Sequence, residues 1–370
     1  MFRLIFISSL MLMITYPIVR IVKPIWVALL ISSIVLMFEV GVFFLPRWGI
    51  FDFPRNIYLL SGLLLGIALI LFFLILIKDI FLILNCLFFN IISVNHLKIN
   101  IVIVALSVIL GVVGLWEGIR VPSVNKFSIK IMNLPDELNG FRVVQLSDLH
   151  IGDIFIKRWL QEVVNKVNQL EPDLVVITGD LVDKSPYKLR DEVNLLTHIT
   201  SKYGTFICIG NHEYYARLVA WLEYWEDIGL PVLLNSHVAI NIDGAVLTVA
   251  GIADRDHNNP AENEPADIIK AFSGSPDSAF RILLAHRPEN ARKHADRSNN
   301  IALQLSGHTH GGQIPILWPI VAAFNGGFFK GLYKIEEMFL YVSNGTGLWG
   351  GLPIRLFTQS EITEITLISG

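Results

Sequence analysis

Three runs in the first third of the chain limit what it can become: Pro24 to Leu45, Ile57 to Ile77 and Ile99 to Trp116 are almost wholly apolar. A bilayer core takes about 20 mainly apolar residues per helix, and Glu39 is the one charge inside these runs. A fourth run, Phe2 to Val19, carries only Arg3 and leads into Arg20 and Lys23 with no small-residue cleavage site. It reads as a span, not a cleaved leader. The expectation is an all-α transmembrane region of about four helices over residues 1–118. Glu39 is expected to make a helix-packing contact, and Asp79 to Val94 to form a short interfacial or folded-back helix. A mean hydropathy of +0.56 with 53% hydrophobic residues excludes an ordinary soluble domain throughout.

Four crossings put both termini on one side of a multi-pass protein of the cell (inner or plasma) membrane. That side gathers Arg3, Arg47, Arg55, Arg120, Lys126 and Lys130, against Arg20, Lys23, Lys78 and Lys98 on the other. The excess of bases leans the C-terminal domain towards the cytoplasm. Seven of the 29 basic and four of the 32 acidic residues lie before residue 118, so the remainder carries 22 and 28. Broad nucleic-acid binding is not expected of so acidic a domain. Cys86 and Cys208 suggest no disulfide framework.

From Pro122 the pattern changes to short β-branched runs alternating with amphipathic stretches, so an α/β domain is expected over residues 119–370. "FRVVQLSD", "DLVVITGD", "GTFICIGN", "RILLAH", "IALQLSGH" and "FLYVSNGTG" read as strands, "IKRWLQEVVNKVNQLEP" as a helix, and 238–254 as a hairpin turning at Asp243-Gly244. The runs end alike. Asp148-x-His150, Gly179-Asp180, Gly210-Asn211-His212, Ala285-His286 and Gly307-His308-x-His310 all follow strand residues, and they hold five of the ten histidines. Sites in open α/β sheets form beyond the carboxyl ends of strands, so these clusters are expected to meet. Carboxylate, imidazole and amide oxygens suit Mn, Fe, Zn or Co, and the set has no thiolate for a structural zinc. A pair of such ions acidifies a shared water and clamps an in-line displacement at phosphorus.

In this order, Asp148-x-His150, "GDLVD", "GNHE", "AH" and "GHTH" resemble the signature of the calcineurin-like metallophosphoesterases. "QLSDLHIG", "HRPE", "SGHTHGGQI" and "SNGTG" are similar to the bacterial branch with N-terminal membrane segments. The resemblance spans about residues 122–368 and implies two packed mixed β-sheets flanked by helices, with two divalent metal ions. It implies that Asp148, His150 and His310 hold one ion, that Asn211, His286 and His308 hold the other, and that Asp180 bridges. His212 would face the substrate as a catalytic group, oriented by Asp183.

Arg287, Asp254 and Arg355 are candidates for substrate contact, with Arg255 and His257 beside them. "NGGFFKGLY" (325–333), which pairs aromatics with glycine and Lys330, reads as a loop that is either packed or in contact with lipid or a hydrophobic substrate. The expected function is cleavage of a phosphodiester or pyrophosphate bond by an activated water. The substrate expected first is lipid-linked, such as a nucleotide-linked acylated sugar, which some relatives cleave. A soluble phosphoester, with the helices as anchor only, is the alternative, and a non-enzymatic metal-binding module the third reading. Oligomeric state has no signal in the sequence.

Overall fold

A computed structural model describes residues 2–46, 50–89, 95–254, 264–349 and 351–370. The chain divides into two compact units, one of residues 1–118 with 350–356, the other of residues 119–349 with 357–370. The short segment 350–356 near the C terminus groups with the helices.

In the first unit, α1 (Phe2–Ile21), α2 (Ile25–Phe44), α3 (Arg55–Leu84) and α4 (His96–Ile119) form where four spans were expected. Three are long and apolar enough to cross a membrane: Ile25–Phe44, Arg55–Phe88 and His96–Ile119. The described side chains of α1, from Ile7 to Ile21, make a shorter apolar helix. The interfacial helix expected from Asp79 is corrected. Asp79 lies inside α3, which runs on through a π-turn at Asn85–Phe89; residues 90–94 lie outside the described residues. The charge does not break the helix because Arg20 of α1 donates to both Asp79 oxygens, at 2.6 and 2.8 Å, and the Tyr16 hydroxyl donates at 2.7 Å. Glu39 makes the expected contact between helices, its Oε2 accepting from the Ser61 hydroxyl of α3 at 2.5 Å. Segment 351–356 packs where the helices offer glycine. A Cβ on Gly62 would strike Pro353 and one on Gly66 would strike Ile354, while the Arg355 amide donates to the Gly114 carbonyl at 2.9 Å.

The second unit is the expected pair of mixed sheets. One orders β1 (Ser123–Ile131), β11 (Glu361–Ser369), β2 (Arg142–Leu146), β3 (Leu174–Thr178) and β4 (Thr205–Cys208). The other orders β5 (Ser236–Ile242), β6 (Ala245–Gly251), β7 (Phe280–Leu284), β8 (Ile301–Ser306), β10 (Met338–Val342) and β9 (Gly331–Ile335). Strand alternation builds the layers. Val143, Val176, Ile282, Leu284, Leu303 and Leu305 meet in the core between the sheets, and Leu283, Ala285, Ala291 and Leu340 form a second core on the outer face of the six-stranded sheet. Helix α5 (Lys157–Gln169) buries Trp159, Leu160, Val163, Val164 and Val167, the spacing expected of it. Strands β2, β3 and β4 are mutually parallel, as are β6, β7, β8 and β10. Their carboxyl ends therefore share an edge within each sheet.

Candidate active site

Three of the five strand-end clusters, those at Asp148, Asp180 and His308, turn at once through unusual backbone. Asp148, His150, Asp180, His308 and His310 all have φ between 46° and 69°, a left-handed conformation that costs an ordinary residue about 1–2 kcal/mol. Such strain persists where the surroundings over-determine it, and here they do. The Asp148 amide donates to the Gly179 carbonyl and the His150 amide to the Asp180 carbonyl, both at 3.0 Å. The His308 amide donates to the Asp148 carboxylate at 3.1 Å. Gly210 and Gly307 let these turns close: a Cβ on the first would overlap the Asp180 carboxylate, and on the second Ser147 and Asp148.

The turns converge. Ligand atoms of Asp148, His150 and His310 lie within 4.8 Å of one another, and so do those of Asp180, His286 and His308. Asp180 also groups with His150 and His212, so it stands between the two sets. Asn211, in the first turn of a short helix (Asn211–Tyr215), meets the second set through Arg287, which touches both it and His308.

Hydrogen bonds fix which ring nitrogens face inward. The Thr178 carbonyl can only accept, so the His286 Nδ1 at 2.7 Å carries the proton and Nε2 is turned to Asp180 at 3.2 Å. Asp183 Oδ1 accepts from Nδ1 of both His150 (2.8 Å) and His212 (2.6 Å). That aims the His150 Nε2 at His310 (3.2 Å) and Asp180 (3.8 Å). A carboxylate behind His150 and a carbonyl behind His286 are the support that metal-binding histidines receive. His212 differs from the rest, since its side chain keeps 20% of its surface open.

The electrostatics ask for a cation. Burial works against charge on His286, but Asp180 and Asp148 outweigh it and push the imidazole up to about 10. His212 is pushed up to about 9 in the same way by Asp180 and Asp183. Burial holds Asp148 above the usual carboxylate range, while Asp180, against its own burial, is drawn well below by His286 and His212. Burial and the neighbouring His286 and Arg287 keep His308 well below the ordinary histidine value, in the neutral form that binds metals. Two buried acids among inward imidazoles fit divalent cations, whose binding displaces the ring protons.

Other expected contacts fall differently. Arg287 and Asp254 reach the site but bind each other, Arg287 Nε donating to Asp254 Oδ1 at 2.8 Å. The remaining guanidinium nitrogens face Asn211 Oδ1 (2.9 Å) and His308 Nε2 (3.0 Å). Arg355 is corrected: it is wholly buried in a segment that belongs with the helices. Arg255 and His257 lie outside the described residues. Sequence reasoning gave no role to Glu213, which is fully buried. Its carboxylate accepts from the amides of Asp180 (3.0 Å), Leu181 (2.6 Å), Val182 (3.3 Å) and Gly210 (2.6 Å), joining the turns that carry Asp180 and Asn211. Its place three residues after Gly210, the spacing at which a glutamate reaches back over a helix start, was the available signal.

The family profile described as calcineurin-like phosphoesterase matches residues 141–312. A transmembrane protein with metallophosphoesterase domain from Danio rerio is 37% identical over 71% of this chain and 61% of its own length. The chain therefore spans under two thirds of that relative. An uncharacterized metallophosphoesterase of Campylobacter jejuni is 35% identical over 72% of this chain and 68% of its own. One of Bacillus subtilis is 34% identical over 65% and 84%.

Proposed function

Because the chain belongs to the calcineurin-like metallophosphoesterases, a family of metal-dependent phosphoester hydrolases, we propose that it is a membrane-bound dimetal phosphohydrolase cleaving a phosphodiester or pyrophosphate bond. The observation that carries this reading is the sharing of Asp180 between two groups of buried and half-buried histidines at the ends of parallel strands. Asp148, His150 and His310 would hold one divalent ion, and Asn211, His286 and His308 the other, with Asp180 between. The ions supply Lewis-acid charge for the phosphoryl oxygens and an acidified water as nucleophile. His212, anchored through Nδ1 to Asp183, presents Nε2 to the open side, where it stabilises a phosphoryl oxygen or protonates the leaving group.

The substrate we infer is lipid-linked, of the nucleotide-linked acylated-sugar type. Three apolar helices of membrane-crossing length are more than an anchor requires, and an active site at a bilayer surface meets amphipathic molecules there. With α1 counted as a fourth crossing, the excess of basic residues on the side of the catalytic domain supports a cytoplasmic location for it. A membrane-impermeant maleimide applied to intact cells should then leave a cysteine at exposed position 187 unlabelled, and label it only after lysis.

The test of function uses full-length protein stripped of metal. Mn, Fe, Zn and Mg are restored singly against a bis-aryl phosphodiester, an aryl phosphomonoester and a nucleotide-linked acyl-sugar. Turnover that needs metal and favours the acyl-sugar supports the reading. Preference for the soluble diester would overturn the lipid-linked substrate, and no turnover on any of them would overturn the enzyme.

A further inference from the structure

Two residues after the "GHTHGG" turn begin the residues "PILWPIVAAF", Pro315 to Phe324, with no charged side chain and only the Trp318 indole N–H polar. They form a short helical arm, a 3-10 turn at Pro315–Leu317 followed by a helix at Trp318–Phe324, and none of its residues is buried. Ile316, Ile320 and Phe324 stand 41%, 52% and 79% exposed. Their spacing of four puts them on one helical face. A helix apolar all round belongs in a core or a membrane, and here the apolar face has no protein cover among the described residues.

The arm is held at its root. Trp318 packs against Gly312 and Phe329, and the Lys330 ammonium lies 4.0 Å from the Trp318 ring centre. The Thr309 hydroxyl, between His308 and His310, donates to the Phe329 carbonyl at 2.7 Å. The occupant of the exposed face follows from the chain itself. The domain begins where α4 ends at Ile119, and the chain returns to the helical unit at 350–356. Two residues beyond that return, Thr358 donates to the Gly311 carbonyl at 3.2 Å, four residues before the arm starts. A surface so tethered to membrane-length helices meets lipid first, and the aromatic-cation pairs at Trp318 and at Phe328, with Arg292 5.0 Å above its ring, suit the headgroup layer.

We propose that Pro315–Phe324 is an interfacial arm that sinks Ile316, Ile320 and Phe324 into the headgroup–acyl boundary beside the loop carrying His308 and His310. The proposal rests on the membrane reading above and deepens the substrate reading: an acylated phosphoester reaches that loop without leaving the bilayer.

The test uses full-length protein carrying Cys86→Ser, reconstituted into phosphatidylcholine/phosphatidylglycerol vesicles. Phe324→Cys and, as reference, Tyr187→Cys, at a position 94% exposed, are labelled with an environment-sensitive fluorophore. The arm predicts blue-shifted emission at 324, quenched by lipids spin-labelled near the top of the acyl chain and shielded from aqueous iodide. Position 187 should show the reverse. A label at 324 quenched by iodide as at 187, from a water-exposed arm or one covered by another protein surface, overturns the proposal whatever the substrate is. Ile320→Asp combined with Phe324→Asp should raise KM for the acyl-sugar in vesicles by an order of magnitude, leaving turnover of the bis-aryl diester unchanged. Lipid quenching at 324 with no such KM change upholds the arm and overturns only the acylated substrate.

Discussion

Changing Glu213 to glutamine replaces one oxygen of a buried carboxylate by an amide nitrogen and tests whether this residue holds the site together. The two amides on Oε1, from Leu181 and Val182, keep an acceptor; those on Oε2, from Asp180 and Gly210, then face a donor. Each bond to a charged acceptor contributes about 1.5–3 kcal/mol, so losing two costs about 3–6 kcal/mol. Relief from burying a charge returns part of this, leaving a net loss of about 3 kcal/mol. For a domain of this size that is a fall of about 6–12 °C in Tm. Thermal unfolding of full-length protein in detergent measures it, and metal analysis on the same samples should show reduced occupancy, because Asp180 and Asn211 both move. A variant that melts within a degree or two of the parent, with its metal retained, would refute the argument.

Other perturbations separate the roles. Asp183→Ala removes the acceptor shared by His150 and His212 and should cut kcat or metal affinity about 10- to 100-fold, measured by steady-state kinetics and metal titration. His212→Ala should lower kcat by about 10²-fold or more while leaving bound metal unchanged, since the residue faces the open side; loss of metal in that variant would reassign it as a ligand. Arg287→Ala deprives buried Asp254 of its guanidinium and should destabilise by about 3 kcal/mol, with most of the loss recovered when Asp254→Asn is added, read as a double-mutant cycle in thermal unfolding. Chelation should lower the Tm of the parent and have little effect on Asp180→Ala, because only a chain that binds the ions is stabilised by them.

Where residues act locally, the sequence was legible. The strand-end clusters announced themselves because glycine, carboxylate and imidazole follow one another at a tight turn, and their aspartates and histidines converge in the fold. The hairpin at Asp243-Gly244 and helix α5 were equally plain from turn chemistry and apolar spacing. Strands β1, β9 and β11 were not read. β1 pairs in parallel with β11, more than 230 residues away, and no local pattern announces that partner. Strand β9 begins inside "NGGFFKGLY", where glycines and aromatics mask a hairpin with β10. Asp79 looked like a helix boundary because its ion pair with Arg20 comes from another helix. Arg355 looked available to phosphate because nothing near it in sequence reveals that Gly62, Gly66 and Gly114 make room for its segment.

Whether Asp180 bridges two ions shows in the metal content of the protein. Full-length protein and Asp180→Ala, purified in parallel, would be analysed by mass spectrometry for ions per chain after dialysis against trace Mn, Fe and Zn. Two ions are expected in the parent and at most one, weakly held, in the variant, with phosphoester turnover lost in step. A parent that retains no divalent ion while its fold is intact would contradict the two-ion site.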